Sequence, residues 1–387
     1  MDKIEEVLTR GVTNIIPNGK ELEKVLRGGK KLNVYCGIDP TATRIHIGHA
    51  VFLRKLQEFV ELGHNVTFLI GDFTALIGDS SDKESERPIL TPKQIQENFK
   101  TYKAQASKIL DFAKVNVKFN SEWLKKLTFA DIVKLCQHFS VGDFVSRELI
   151  KKRLEEGKRV GLHEFLYPVM QGYDSYFMDT DIQIGGADQT FNMQAGRALQ
   201  KDLRNKESFV LVTGYLSGTD GRKMSKSWGS AVWITDSPEE MFGKIMSLRD
   251  DLIVEYFGNA MKPDETRIKD AERRLKAGEN PMNLKKELAF LIVSEFHSPK
   301  EAQKAQKIFE QTFQEKRPTF DIKVSRGENL AKTIIPFTTR QSMSSAKELI
   351  KQGAVDVNGS VETNPNSKVE IGDEIKVGER TFLKVSK

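Results

Sequence analysis

Two short segments carry side chains suited to binding phosphate. The first is His46-Ile47-Gly48-His49. Histidines three apart on a first helical turn lie on the same side of the helix. Gly48 between them lets a ligand approach the backbone closely. A helix start adds unpaired N–H groups and a positive dipole end, which favour an anion, phosphate foremost. Zinc would need a third ligand, and none stands nearby in the sequence. The second segment is Lys223-Met224-Ser225-Lys226-Ser227, following the turn text Ser217-Gly218-Thr219-Asp220-Gly221-Arg222. Lysines three apart on a glycine-flanked loop can clamp a polyphosphate as point charges. A third group, Tyr167, Gln171 and Asp174, falls at i, i+4 and i+7, one helix face that could hold the polar ends of a small substrate.

These groups need a frame. Leu32–Ile38 reads as a short buried strand and Asp39-Pro40-Thr41 as a loop. Ile47, Val51, Phe52, Leu56, Phe59 and Val60 recur at helical spacing from His46 to Leu62, and Gly63 ends that helix. Asn65–Gly71 is a second strand, so the text is β-α-β, the unit of a parallel sheet. A helix is predicted over Lys93–Phe112, a strand over Val115–Phe119 and mixed helix over Phe129–Glu156. Further strands are predicted over Asp181–Gly186 and Phe209–Val212. The expected fold is α/β, a Rossmann-like parallel sheet spanning about residues 31–230 within a catalytic domain 1–232 that carries an inserted helical segment. A helical, Lys/Glu-rich domain follows over 233–317, then a linker over 318–328. A small α+β domain closes the chain over 329–387. There Val355–Val357, Val369–Ile371, Glu374–Val377 and Phe382–Val385 read as strands, and Asn358-Gly359 is a hairpin turn.

Composition narrows the class. The chain has 387 residues, enough for two or three domains. Hydrophobic residues are 39% and charged residues 29%, which suits a globular protein and argues against disorder. No apolar run reaches the roughly 20 residues of a membrane helix, and no secretory signal opens the sequence, so a cytoplasmic protein without a membrane partner is expected. Two cysteines, Cys36 and Cys136, exclude a disulfide scaffold and a multi-cysteine metal site. The net charge of +6 permits a polyanionic partner without demanding one, because 60 basic residues face 54 acidic ones.

The two phosphate-binding segments, in this order across one α/β domain, match the two signatures of class I aminoacyl-tRNA synthetases letter for letter. Tyr35–Ala42, Tyr167–Asp174 and Gly185-Gly186-Ala187-Asp188-Gln189 resemble tyrosyl-tRNA synthetases of the bacterial type. The wording from Leu166 to Ser175 is most similar to the shorter of the two bacterial subgroups. The resemblance covers nearly the whole chain. Ser342–Gly359 resembles the S4 RNA-binding domain.

The resemblance implies an enzyme that activates L-tyrosine with ATP and passes it to the terminal ribose of tRNA-Tyr. By the family's pattern Tyr35 and Asp174 meet the phenol; Tyr167, Gln171 and Asp79 meet the ammonium. Gln189 lies by the carboxylate, and Asn120 is near the substrate. Gly37, Asp39, His46, Gly48, His49, Gly186, Asp188, Met224, Ser225 and Lys226 line ATP or the adenylate. His46, His49, Lys223, Lys226, Lys83 and Arg87 face the charge that grows on the phosphates. Mg²⁺ accompanies ATP, with no metal held tightly by the protein. Lys347 and Lys351 face tRNA. A homodimer is implied too, with Phe139, Val141 and Phe144 as interface candidates, residue types that also fill ordinary cores. The sequence departs from the pattern at Phe52, where some members carry threonine, at Asp82, where a small residue is usual, and at Ile45, where leucine is commoner. Cys36 matches a ribose-facing position, and equally suits a buried thiol.

Other readings stay open. A tryptophanyl synthetase or a nucleotidyltransferase shares the histidine–glycine–histidine signature. The Tyr35 segment, the Tyr167 stripe and the S4-like tail weigh against both. An RNA-binding relative that lost activation would keep the fold, but the intact lysine motif and both histidines weigh against it.

Overall fold

A computed structural model describes residues 2–41, 43–79, 91–222, 224, 229–262, 264–314, 320, 322–338, 341–378 and 381–386, apart from the side chains of Pro92 and Gln314. The chain divides into two compact units. One comprises Met1–Met224, Trp233–Thr235 and Asp251–Gly278; the other comprises Ser225–Val232, Asp236–Asp250 and Glu279–Lys387.

The first unit is built on six strands: β1 (Val12–Ile16), β2 (Asn33–Ile38), β3 (Asn65–Ile70), β4 (Asn116–Phe119), β5 (Ile182–Gly186) and β6 (Phe209–Thr213). Their order is β1-β6-β5-β2-β3-β4. All neighbours run parallel except β1, which lies antiparallel on β6. Phe209-Val210-Leu211-Val212 is buried throughout, as expected of an inner strand covered on both faces. The Ile47–Glu61 helix carries the chain from β2 to β3 and buries Ile47, Val51, Leu53, Leu56 and Phe59.

Three features of this unit differ from the sequence reading. The sheet starts earlier than residue 31, because Val12–Ile16 adds an antiparallel edge strand. It carries a register irregularity between Val12 and Asn14. The predicted Lys93–Phe112 helix ends at Ala106, where Ser107 caps it and turns follow. Phe129–Glu156 is three short helices, Phe129–Cys136, Val141–Val145 and Glu148–Glu155. Thr128 and Ser140 accept backbone N–H bonds at the starts of the first two and so punctuate the stretch.

The second unit contains helices Pro238–Met246, Pro281–Phe296 and Pro299–Phe309 and a five-stranded sheet. Its strands are β7 (Ile322–Ser325), β8 (Val355–Val357), β9 (Ser360–Val361), β10 (Glu374–Val377) and β11 (Thr381–Ser386), in the order β7-β11-β10-β8-β9. The Asn358-Gly359 hairpin joins β8 to β9, with φ of +52° and +84° at its two central residues. The stretch read as a linker contains β7, which pairs in parallel with β11 and buries Val324 in the core of Leu330, Ile334, Ile350, Ile375 and Leu383. One buried side chain in four residues is too faint a pattern to read as a strand. Val369–Ile371 is not a strand: the Glu370 N–H is taken by the Asp373 carboxylate, in a turn, although Val369 is buried. Residues 251–278, expected within the helical domain, group instead with the first unit.

Candidate active site

The strands β2 to β6 run parallel, so their carboxyl ends open on one edge of the sheet. From β2 the chain builds β3 and β4 on one side, then returns to build β5 and β6 on the other. The crevice at such a reversal is where open α/β sheets bind ligands. Asp39 follows β2, Asp79 follows β3, Asn120 follows β4, and Gly186, Asp188 and Gln189 lie at the end of β5. Residues that are far apart in sequence thus gather at one edge.

At the reversal itself, Tyr35 on β2 stands in register with Gln183 on β5, and its hydroxyl donates to Gln183 Oε1 at 3.1 Å. The Gln183 amide donates in turn to the Met193 carbonyl at 2.9 Å. Asp174 projects from the Leu162–Phe177 helix and is only 2% exposed. It accepts from Asn120 Nδ2 at 3.1 Å and from Trp123 Nε1 at 2.7 Å. Burial pushes its carboxyl up to about 8, against the pull of these two donors; Asp39 and Asp72 push the same way as burial. Burial first, and then the Asp174 charge, hold the Tyr35 phenol well above its ordinary range.

A second cluster shares that edge. Tyr167 Oη donates to Asp39 Oδ2 at 2.9 Å, and Thr74 Oγ1 donates to Asp39 Oδ1 at 2.8 Å. The Tyr167 phenol is likewise held far up, by burial and then by Asp39 and Asp79. Gln189 Nε2 donates to Asp79 Oδ2 at 2.7 Å, and Asn192 Nδ2 donates to Gln189 Oε1 at 3.1 Å. Gln171 is half-buried on the helix that carries Tyr167 and Asp174. Carboxylates and amides at this edge suit an ammonium and a carboxylate on one small molecule.

His46 caps the Ile47–Glu61 helix, and its backbone N–H donates to His49 Nδ1 at 3.3 Å. The two rings lie 3.8 Å apart between centroids. Gly48 permits this: a Cβ there would sit 2.9 Å from His46 Nδ1. Phe52 packs edge-on against His49 at 5.8 Å, so the side chain that departs from the family pattern supports the histidine ring. Cys36 is buried and its thiol is pushed up to about 12 by burial, so it is held neutral. Gly37 and Asp188 are exposed, Gly186 is half-buried and Met224 is buried. Lys83, Arg87, Lys223, Ser225 and Lys226 lie outside the described residues. In the second unit Lys347 and Lys351 are exposed on the Met343–Lys351 helix. Phe144 is buried with Leu135, Val169 and Leu199, Phe139 packs partly against that cluster, and Val141 is exposed.

The sequence reading does not single out Gln183, Trp123, Thr74 or Gly71. Gln183 sits in an apolar strand run, the one polar residue in Ile182–Ile184, and that is a usable signal. Gly71 is required because a Cβ would lie 1.9 Å from Asp39 Oδ1. Among the described residues no group of three or more His, Cys, Asp or Glu could hold a metal ion.

The family model for class I tRNA synthetases (W and Y) matches residues 27–314, and that for the S4 domain matches 341–375. The chain is 42% identical over 397 residues to the tyrosine–tRNA ligase of Carboxydothermus hydrogenoformans, covering 98% of this chain and 97% of the relative. The chain belongs to the tyrosine–tRNA ligases, class I aminoacyl-tRNA synthetases. Another member of this family, the ligase of Thermotoga maritima, is 39% identical over 388 residues, covering 98% and 96%. Solved structures share the ligase fold. A C-terminally truncated mitochondrial tyrosyl-tRNA synthetase of Aspergillus nidulans gives a TM-score of 0.65 at 20% identity, covering 80% of this chain and 94% of that one. The tyrosyl-tRNA synthetase of Archaeoglobus fulgidus, solved with L-tyrosine, gives 0.63 at 21% identity, covering 79% and 98%.

Proposed function

We propose that this chain activates L-tyrosine with ATP and transfers it to the 3′-terminal ribose of tRNA-Tyr. The observation that carries this reading is the buried pair of polar centres at the β2/β5 reversal: Asp174 with Asn120 and Trp123, and Tyr35 with Gln183. A buried carboxylate beside a buried phenol offers a hydroxyl-bearing ring a polar end that phenylalanine could not fill; the general argument has this enzyme family as its known example. Tyr167, Gln171 and Asp79 take the ammonium, and Gln189 lies by the carboxylate.

That carboxylate attacks the α-phosphorus of ATP, the bond to the bridging oxygen breaks, and pyrophosphate leaves. The nucleophile is already ionised, so this step needs no general base. Catalysis comes from placement and from charge set against the phosphates. His46 and His49 supply it from the helix start, together with Lys223, Lys226, Lys83 and Arg87. Gly37, Asp39, Gly48, Gly186, Asp188, Met224 and Ser225 line the nucleotide. A ribose hydroxyl of tRNA then attacks the acyl carbon and AMP leaves. Mg²⁺ enters on ATP, carried by phosphate oxygens rather than a protein cage.

The first unit does this chemistry, the helices of the second unit meet the anticodon region, and its five-stranded sheet domain adds an RNA contact through Lys347 and Lys351. The protein acts as a homodimer. Phe129, Leu162 and Val141 support that reading, being apolar and respectively 83%, 79% and 77% exposed. It works in the cytoplasm, in keeping with two free cysteines. No helix among the described residues is long and apolar enough to cross a membrane.

The test is ATP–pyrophosphate exchange without tRNA, run with tyrosine, tryptophan and phenylalanine. Exchange with tyrosine alone is expected. No exchange with any of them, in folded protein that binds tRNA, would overturn the reading in favour of an RNA-binding relative.

A further inference from the structure

The loop from β2 to the histidine helix is held by one face of the Pro92–Ala106 helix. Asn98, Thr101 and Gln105 fall at i, i+3 and i+7 on that helix, one turn above another. Asn98 Nδ2 donates to the Pro40 carbonyl at 2.8 Å, and Thr101 Oγ1 to the Thr43 carbonyl at 2.6 Å. Gln105 reaches furthest along the loop. Its Oε1 accepts the Ile45 N–H at 2.7 Å, and its amide donates to the carbonyls of Thr43 at 2.9 Å and Thr101 at 3.2 Å. Gln105 is 6% exposed, and both of its amide hydrogens are spent on backbone. Ile45 is fully buried, and its own carbonyl accepts the Ile234 N–H at 3.0 Å. Lys108 Nζ in turn donates to the Ile234 carbonyl at 2.9 Å, and Arg44 Nε donates to Thr235 Oγ1 at 3.0 Å. Ile45 is therefore fixed through its N–H by Gln105 and through its carbonyl by Ile234. The next residue is His46, which caps the histidine helix and whose ring lies against that of His49.

We propose that Gln105 is a positioning residue for adenylate formation, acting through the Ile45 backbone to set where His46 stands at the start of its helix. The inference rests on the tyrosine-activating reading above, in which His46 faces the phosphates. Gln105 is uncharged and has no N–H left for a phosphate, so it acts only through the loop it holds. Without it the buried Ile45 N–H loses its partner, and the loop must shift to find another. A misplacement of about 1 Å at a reacting centre can cost about a hundredfold in rate.

The experiment measures single-turnover tyrosyl-adenylate formation and equilibrium tyrosine binding in the full chain, with circular dichroism to confirm folding. Gln105→Met, similar in length but without the amide, is expected to slow adenylate formation by about tenfold or more while tyrosine affinity stays within about twofold. Gln105→Glu, which keeps an acceptor for the Ile45 N–H, should recover part of the rate. In a His46→Ala background the Gln105→Met loss should largely vanish, since Gln105 acts through that residue. A wild-type rate in folded Gln105→Met, an equal loss in the His46→Ala background, or a parallel loss of tyrosine binding would each overturn the proposal. Should Gln105→Met not fold, Gln105→Asn, too short to span Ile45 and Thr43 together, takes its place with the same expectations. If wild type itself forms no adenylate with tyrosine, the functional reading fails instead.

Discussion

Trp123 Nε1 donates to Asp174 Oδ1 over 2.7 Å, joining the short helix after β4 to the helix that carries the polar stripe. The two donors to Asp174 pull against the burial that favours its protonated form, and burial prevails. Its folded-state pKa of about 8 lies above its ordinary value, so the folded chain binds this proton more tightly than the unfolded chain. The stability contributed is therefore full below about pH 4 and is lost as pH rises through about 8. Asp174→Asn cannot titrate. Its melting temperature relative to wild type should climb between about pH 5 and pH 9. A gap that does not change with pH would show that Asp174 titrates like an exposed carboxylate.

Gly48 offers a case where stability and activity should part. Alanine in a helix is favoured over glycine by up to about 1 kcal/mol. A Cβ at this position would press on the His46 ring at 2.9 Å. Gly48→Ala should keep or raise the melting temperature while slowing adenylate formation by about tenfold or more. Wild-type rates in this variant would mean that the histidine ring can move without consequence.

The ion pair behind the polar stripe is buried at both ends. Arg153 and Glu164 are each 2% exposed and make two bonds, at 2.6 and 3.0 Å. Glu164 also takes the Gly161 N–H at 2.7 Å, fixing the start of the Leu162–Phe177 helix. Glu164→Gln leaves a buried guanidinium without its countercharge and should cost about 3–5 kcal/mol in denaturant unfolding. Replacing the pair together, with Arg153→Met and Glu164→Leu, should recover much of that loss, because both charges are then removed.

The sheet was largely legible because its inner strands are continuous apolar runs and its first helix keeps helical spacing. Phe209–Val212 and the His46–Leu62 stretch are the clearest examples. The Asn358-Gly359 turn was legible for a different reason: both central residues need positive φ, and that dipeptide tolerates it. Edge strands were harder. Val12–Ile16 is only partly buried, and β7 buries one residue of four, so neither carries a strong period. At the site, motif spacing pointed to the histidines and the Tyr167 stripe. Gln183 and Trp123 are not legible because their significance lies in partners 148 and 51 residues away. No local pattern encodes such a pairing.

Lys347 and Lys351 lie one helical turn apart and both are exposed, so they can meet successive phosphates of one RNA strand. Pairing of this kind releases counterions and makes affinity fall with salt. Replacing both with alanine should weaken tRNA binding and reduce the slope of log affinity against log salt by about 2, about 1 for each phosphate left without its lysine. The helix should survive, because its buried residues are Ala346 and Ile350. Filter binding across a salt series, with circular dichroism to check folding, reads both quantities. An unchanged slope would mean that this face of the small domain meets no phosphate, and that the tRNA lies against another surface of it.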